Sequence, residues 1–140
     1  MNTRIRCVAL GLLAASALFT GIWAYAAPVN WYANFPGLGR SWLPQLGPYN
    51  EHLAKDTGAM FLAMAVLTII SLRHVRDVRL VRTTGAAWLV FSVPHLVFHT
   101  RHLDMYGKED QVLNVVVLSV LVLLATLLLV PSRRRSAQGG

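Results

Sequence analysis

The sequence predicts an all-α membrane protein, a four-transmembrane-helix bundle with both termini cytoplasmic. Three observations predict it. Of 140 residues, 55% are hydrophobic and 14% charged, where a typical soluble domain is roughly 25% charged, and the mean hydropathy is +0.50. Four segments are mostly apolar over about 20 residues, the length a helix rising about 1.5 Å per residue needs to cross a core about 30 Å thick. Lys and Arg also change sides with those segments, as insertion into a bilayer requires. Such hydrophobicity excludes disorder. The single cysteine, Cys7, excludes an internal disulfide framework. No segment alternates in polarity, so a β-barrel is not expected.

The first span is placed at 7–27, after Arg4 and Arg6. It ends in Ala24-Tyr25-Ala26, a pattern that signal peptidase cuts. Its apolar run of about 20 residues exceeds the roughly 7–15 of a signal sequence, so retention is expected. The extracytoplasmic loop, 28–50, carries Trp31, Tyr32, Phe35, Trp42 and Tyr49 among four prolines and three glycines. Pro and Gly at this density block a long helix. The aromatic residues suit a headgroup-level belt, or a lid over something at the outer end.

The second span is placed at 52–72 and the third at 81–103, joined by a short inner loop rich in arginine. The fourth, 112–130, is almost pure Leu and Val, with Asn114, Ser119 and Thr126 as its polar exceptions. Asn114 either completes an outer polar cluster or makes a packing hydrogen bond. A basic tail, 131–140, contains Arg133, Arg134 and Arg135 and reads as a cytoplasmic stop-transfer anchor. Nine of the thirteen basic residues fall on the side of the termini. Arg40, Lys55, Arg101 and Lys108 fall on the other, together with every acid except Asp77. The chain is therefore expected in the cell membrane as a multi-pass protein. Its partners are the lipid bilayer and a membrane-protein partner or a second copy, with no role for nucleic acid. Anionic headgroups account for the basic inner side.

Ionisable groups at membrane depth are costly and mark functional sites. Four of the five histidines map to the outer halves of spans two and three. His52 and Asp56 are i,i+4 and share one helix face. His95, His99 and His102 share another. Counting outward from the inner loop sets Asp56 level with His99, and His52 level with His102. Neutral imidazole and carboxylate suit a transition metal. The candidate metal ligands are therefore His52, Asp56, His99 and His102, with Glu51 and His95 as additional or supporting residues, and Zn, Cu or Fe as the ion. Pro94 should kink span three just below them. A purely structural hydrogen-bond network across the helices is the plainest reading of the same cluster, and the metal site is the leading functional one. Axial haem ligation by histidines of spans two and three, a proton relay, and chemistry on a quinone or lipid headgroup are weaker alternatives. Met60 and Met64 read as core filler, Cys7 as an apolar filler, and His74 as a solvated inner-loop residue. No phosphate-binding glycine loop or nucleophile triad is present.

The runs Pro48-Tyr49-Asn50-Glu51-His52 with Asp56 and Gly58, and Pro94-His95 with Phe98-His99, resemble small four-helix integral membrane proteins of actinobacteria. Eleven Arg against two Lys, in a chain rich in Ala, Leu and Val, agrees with a high-GC genome. The resemblance implies the four-span fold over most of the chain and transfers no activity, cofactor or site residue. Three functions remain in view. They are a metal-binding protein, a structural or accessory subunit of a larger membrane complex, and a small membrane enzyme acting on a lipid or quinone headgroup.

Overall fold

The computed structural model describes residues 2–131, so the arginines at 133–135 lie outside the described residues. Among those described, the order is α1 (Thr3–Ala26), α2 (Pro28–Asn34), β1 (Pro36–Gly37), β2 (Arg40–Ser41), α3 (Glu51–Arg73), α4 (Val78–Thr100) and α5 (Lys108–Leu129). Single 3₁₀ turns lie at Leu43–Gln45 and Leu103–Met105. Helices α1, α3, α4 and α5 are each long and apolar enough to cross a membrane.

Three of them begin on side-chain caps that satisfy their first N–H groups. Asn2 accepts from Arg4 N, Asn50 from Leu53 N, and Asp77 from both Arg79 N and Leu80 N. Helix α5 instead opens with Glu109 and Asp110, whose charge complements the N-terminal end of the helix dipole. These devices extend α1, α4 and α5 past the apolar segments at their N-terminal ends. At its other end α4 stops at Thr100, where residues placed in the third span turn into the 3₁₀ segment. The outer loop departs from the expected absence of strands. Pro36–Gly37 and Arg40–Ser41 pair antiparallel around Leu38 and Gly39, both at positive φ as a tight hairpin turn requires.

All four long helices share one core. Ala9, Leu10, Leu13 and Ala17 of α1 meet Ala65 of α3, Val81 and Trp88 of α4, and Ala125 and Leu128 of α5. Large apolar residues also face outward, for example Leu12, Val90 at 76% exposure and Leu123. In water these would form an apolar patch of unusual extent, whereas in lipid such a surface is ordinary.

The pairing of helices is uneven. Helix α3 packs chiefly along α1, and α4 along α5, while α3 and α4 touch far less. Glycine is the cause at both close contacts. A Cβ on Gly58 would lie 2.6 Å from Tyr25 N, and one on Gly85 would lie 2.8 Å from Leu128 Cβ. The contact between α3 and α4 is a polar ladder in the half nearer their short connection, capped by an edge-on Phe61–Phe91 pair. Ser71 meets Thr84 at 2.5 Å, and Trp88 Nε1 donates to Thr68 Oγ1 at 2.9 Å. Thr84 and Thr68 pass their own hydroxyl protons to Leu80 O and Met64 O. Every member of the ladder is thus satisfied, as burial demands.

Candidate functional site

The segment 28–50 folds back over the ends of the long helices it adjoins. Trp31 packs with Ala24 of α1 and Ala54 of α3, flanked by Tyr32, Phe35, Leu43 and Tyr49. From there the hairpin reaches across to α5. Asp110 accepts from the Arg40 guanidinium and, at 2.9 Å, from Trp42 Nε1, while Arg40 also lies 3.6 Å from Glu109. The Trp42 ring, buried at 5% exposure, meets Tyr106 edge-on. Tyr106 is fixed from behind by Gln111, whose Nε2 donates to its carbonyl. The loop is therefore a strap fastened to the start of α5.

Beneath the strap lies His99. Helix α4 turns Trp88, Ser92 and His99 to the interior because these positions repeat at near-whole turns of about 3.6 residues. His99 is 7% exposed and its ring lies nearly parallel to that of Tyr106, with centroids 6.4 Å apart. Asn114 of α5 faces it across the α4–α5 contact. His95 completes the group from below, 4.5 Å from the His99 ring and stacked on Phe91.

These groups are polar, covered and incompletely satisfied. The Tyr106 and Ser92 hydroxyls are buried without a hydrogen-bond partner, while the Asn114 amide acts on the His99 ring as a hydrogen-bonding neighbour in a geometry short of a well-formed bond. Leaving one such group unpaired costs about 1–3 kcal/mol, so a cluster of them is a feature that packing alone disfavours. The Tyr106 phenol is pushed up to about 12, first by burial and then by the Asp110 charge. It is therefore a neutral hydrogen-bond donor at any ordinary pH.

The residues expected to share one metal ion are distributed otherwise. His52 Nε2 and Asp56 Oδ2 do meet, at 3.1 Å, but on an exposed face where their side chains are 82% and 61% accessible. At about 100° per residue both lie opposite Ala54, the position α3 buries against the outer end of α1. Glu51 pairs with Lys55 at 3.0 Å on the same turn. His102 directs Nδ1 to Phe98 O at 2.7 Å and lays its ring against Phe98. Among the described residues, no hydrogen bond, ion pair or ring contact joins His52 or Asp56 to His99 or His102. No group of three or more His, Cys, Asp or Glu side chains there is arranged to hold a metal.

Ser92 and Tyr106 went unremarked in the sequence. Ser92 had a usable signal, since it lies seven residues, about two turns, before His99 on the same face of α4. Tyr106 had none, because the 3₁₀ turn at Leu103–Met105 that folds it back onto His99 carries no periodic signal. A separate groove of about 190 Å³ opens between the loop and α3, lined by residues that include Trp31, Tyr32, Asn50 and Thr57. Tyr32 donates to Gly47 O, Thr57 to Leu53 O, and Asn50 caps α3. Trp31 Nε1, which lines this groove, and the Tyr49 hydroxyl packed near it are buried without a partner, so unmet hydrogen-bonding capacity lies both here and at His99.

Fold and site together define a class, an all-helical protein with four helices long and apolar enough to cross a membrane and a buried polar cluster beside a strapped loop at one end. No family model, curated protein or solved structure matches the chain.

Proposed function

We propose that the chain is a small multi-pass protein of the cell membrane, with cytoplasmic termini, that binds an uncharged hydrogen-bonding ligand between α4 and α5 at its extracytoplasmic end. One observation carries this reading: buried polar atoms of His99, Asn114 and Tyr106, none with a well-formed hydrogen bond, sit together beside a fastened strap. The asymmetry of Lys and Arg supports the orientation, and the likeness to four-helix actinobacterial membrane proteins supports a bacterial origin. A binding site is a stability liability in its empty form, because groups aimed at a ligand have no partner without it. Asn114→Leu should therefore raise the unfolding temperature in detergent, since it removes two buried polar atoms that lack a well-formed hydrogen bond, at similar volume. If Asn114→Leu instead costs about 1 kcal/mol or more, Asn114 is interhelical glue and the reading fails.

A second reading, a transition-metal site for Zn, Cu or Fe, draws on two observations. His95 and His99 are in ring contact, and His52 touches Asp56. Elemental analysis of purified protein beside His52→Ala and His99→Ala separates the two. Stoichiometric metal lost in a variant favours the metal, and metal-free folded protein favours the uncharged ligand.

A further inference from the structure

We propose that the groove between segment 28–50 and α3, a site separate from the His99 cluster, seats the ester end of a membrane lipid's acyl chain. An unpaired donor beside an open space is the first argument. Trp31 lines the groove, and its Nε1 is buried without a hydrogen-bond partner. An indole N–H only donates, so its complement is an acceptor such as an ester carbonyl. The Tyr49 hydroxyl, on a ring packed against that of Tyr32, is a second buried group without a partner. The wall opposite α3 is the turn at 43–48, tied to α2 by the hydrogen bond from Tyr32 to Gly47 O, and its yielding admits an acceptor to Nε1.

Charge and size are the second argument. None of the described residues lining the groove is charged. Lys55 is taken by Glu51, and Arg40 by Asp110 and Glu109. An ionic group would find no counter-charge in the groove, whereas a neutral ester escapes that penalty. The volume of about 190 Å³ holds about six groups of roughly 30 Å³, a water's share of liquid volume. That is one ester and the first few methylenes, too little for a whole headgroup. Continuity with the lipid-facing surface is the third argument. Leu53, Thr57 and Met60 lie at i, i+4 and i+7 on one face of α3. Leu53 and Met60 are 62% and 66% exposed on a helix apolar enough to cross a membrane. An acyl chain leaving the groove continues along this face into the bilayer. Trp and Tyr also favour the interfacial depth at which ester carbonyls lie.

The test is native mass spectrometry of the full chain in detergent, titrated with dioleoyl phosphatidylcholine and with its diether analogue of matched chains and headgroup. The expected result is one retained ester lipid per chain, with the diether about threefold weaker, the loss of one hydrogen bond in lipid. Trp31→Phe, which keeps an aromatic ring, should weaken the ester lipid to the level of the diether. Leu53→Ala, at an exposed position that should fold even where Trp31→Phe does not, should weaken both lipids alike. Leu123→Ala, on the outward face of α5, and Tyr106→Phe, in the His99 cluster, should change neither. Equal retention of ester and diether by the wild type overturns the ester as the recognised group. A preference that survives Trp31→Phe, or lipid retention indifferent to Leu53→Ala, overturns the assignment to this groove.

Discussion

Adding one methyl group at Gly58 should separate α1 from α3. A Cβ there would stand 2.6 Å from Tyr25 N, 2.9 Å from Tyr25 Cβ and 3.0 Å from Gly21 O. Ordinary carbon contacts lie at about 3.5–4.0 Å, so the shortfall approaches 1 Å. The obstructing atoms are mostly backbone, and no side-chain rotation relieves them. The helices must part, and a gap of about 0.5–1 Å already forfeits a quarter to a half of each dispersion contact nearby. Overpacking of this kind costs about 1–3 kcal/mol, and the better helix propensity of alanine returns up to about 1 kcal/mol. A net loss of roughly 1–2 kcal/mol is expected for Gly58→Ala. Gly11 supplies the control, because a Cβ there meets nothing within 4 Å. Gly11→Ala should be neutral or stabilising by up to about 1 kcal/mol. Unfolding in mixed micelles by increasing SDS fraction, followed by circular dichroism, measures both. The packing argument is refuted if Gly58→Ala is as stable as wild type, or if Gly11→Ala is equally damaged.

Further outcomes follow from other contacts. Trp88→Phe removes the indole donor to Thr68, and the same unfolding assay should show a loss of about 0.6–2 kcal/mol, the range for one interhelical hydrogen bond in lipid. Asp110→Asn weakens the hold on Arg40, so acrylamide should quench Trp42 fluorescence more strongly, and unchanged quenching would show that the strap is fastened elsewhere. The Tyr106 phenol titrates at about 12 against an ordinary 10.0. The folded state thus holds its proton more tightly than the unfolded state, and this stability is complete below pH 10 and lost as pH rises toward about 12. Ultraviolet titration of wild type beside Tyr106→Phe should show one high-pH step missing in the variant. For orientation, Leu38 is fully exposed at the hairpin tip. Leu38→Cys in a Cys7→Ser background should react with an impermeant maleimide on intact cells, while Cys7 of the wild type should react only after permeabilisation.

The polar residues show where local information stops. His52 and Asp56 could be paired from spacing alone, because i,i+4 adjacency is a property of a single helix, and they do meet. Counting residues outward from the inner loop set depth along two helices but said nothing about rotation around them. Rotation is decided by the small residues each helix uses for close contact. Gly58 and Ala54 turn α3 toward α1, which leaves His52 and Asp56 on an open face. Ser92 and Trp88 turn α4 inward and carry His99 with them. The same rotation brings Asn114 opposite His99, where it acts on the ring as a hydrogen-bonding neighbour.

The sequence by itself determined four long apolar helices and the charge asymmetry of their connections, because hydropathy and side-chain charge act locally against the solvent. Only the tertiary structure decided which polar groups share a site. Glycine contacts chose the helix partners, and a strap across more than 60 residues of chain laid Trp42 against Tyr106, whose ring faces His99. Those choices depend on close packing between segments distant in the chain, which no single segment specifies.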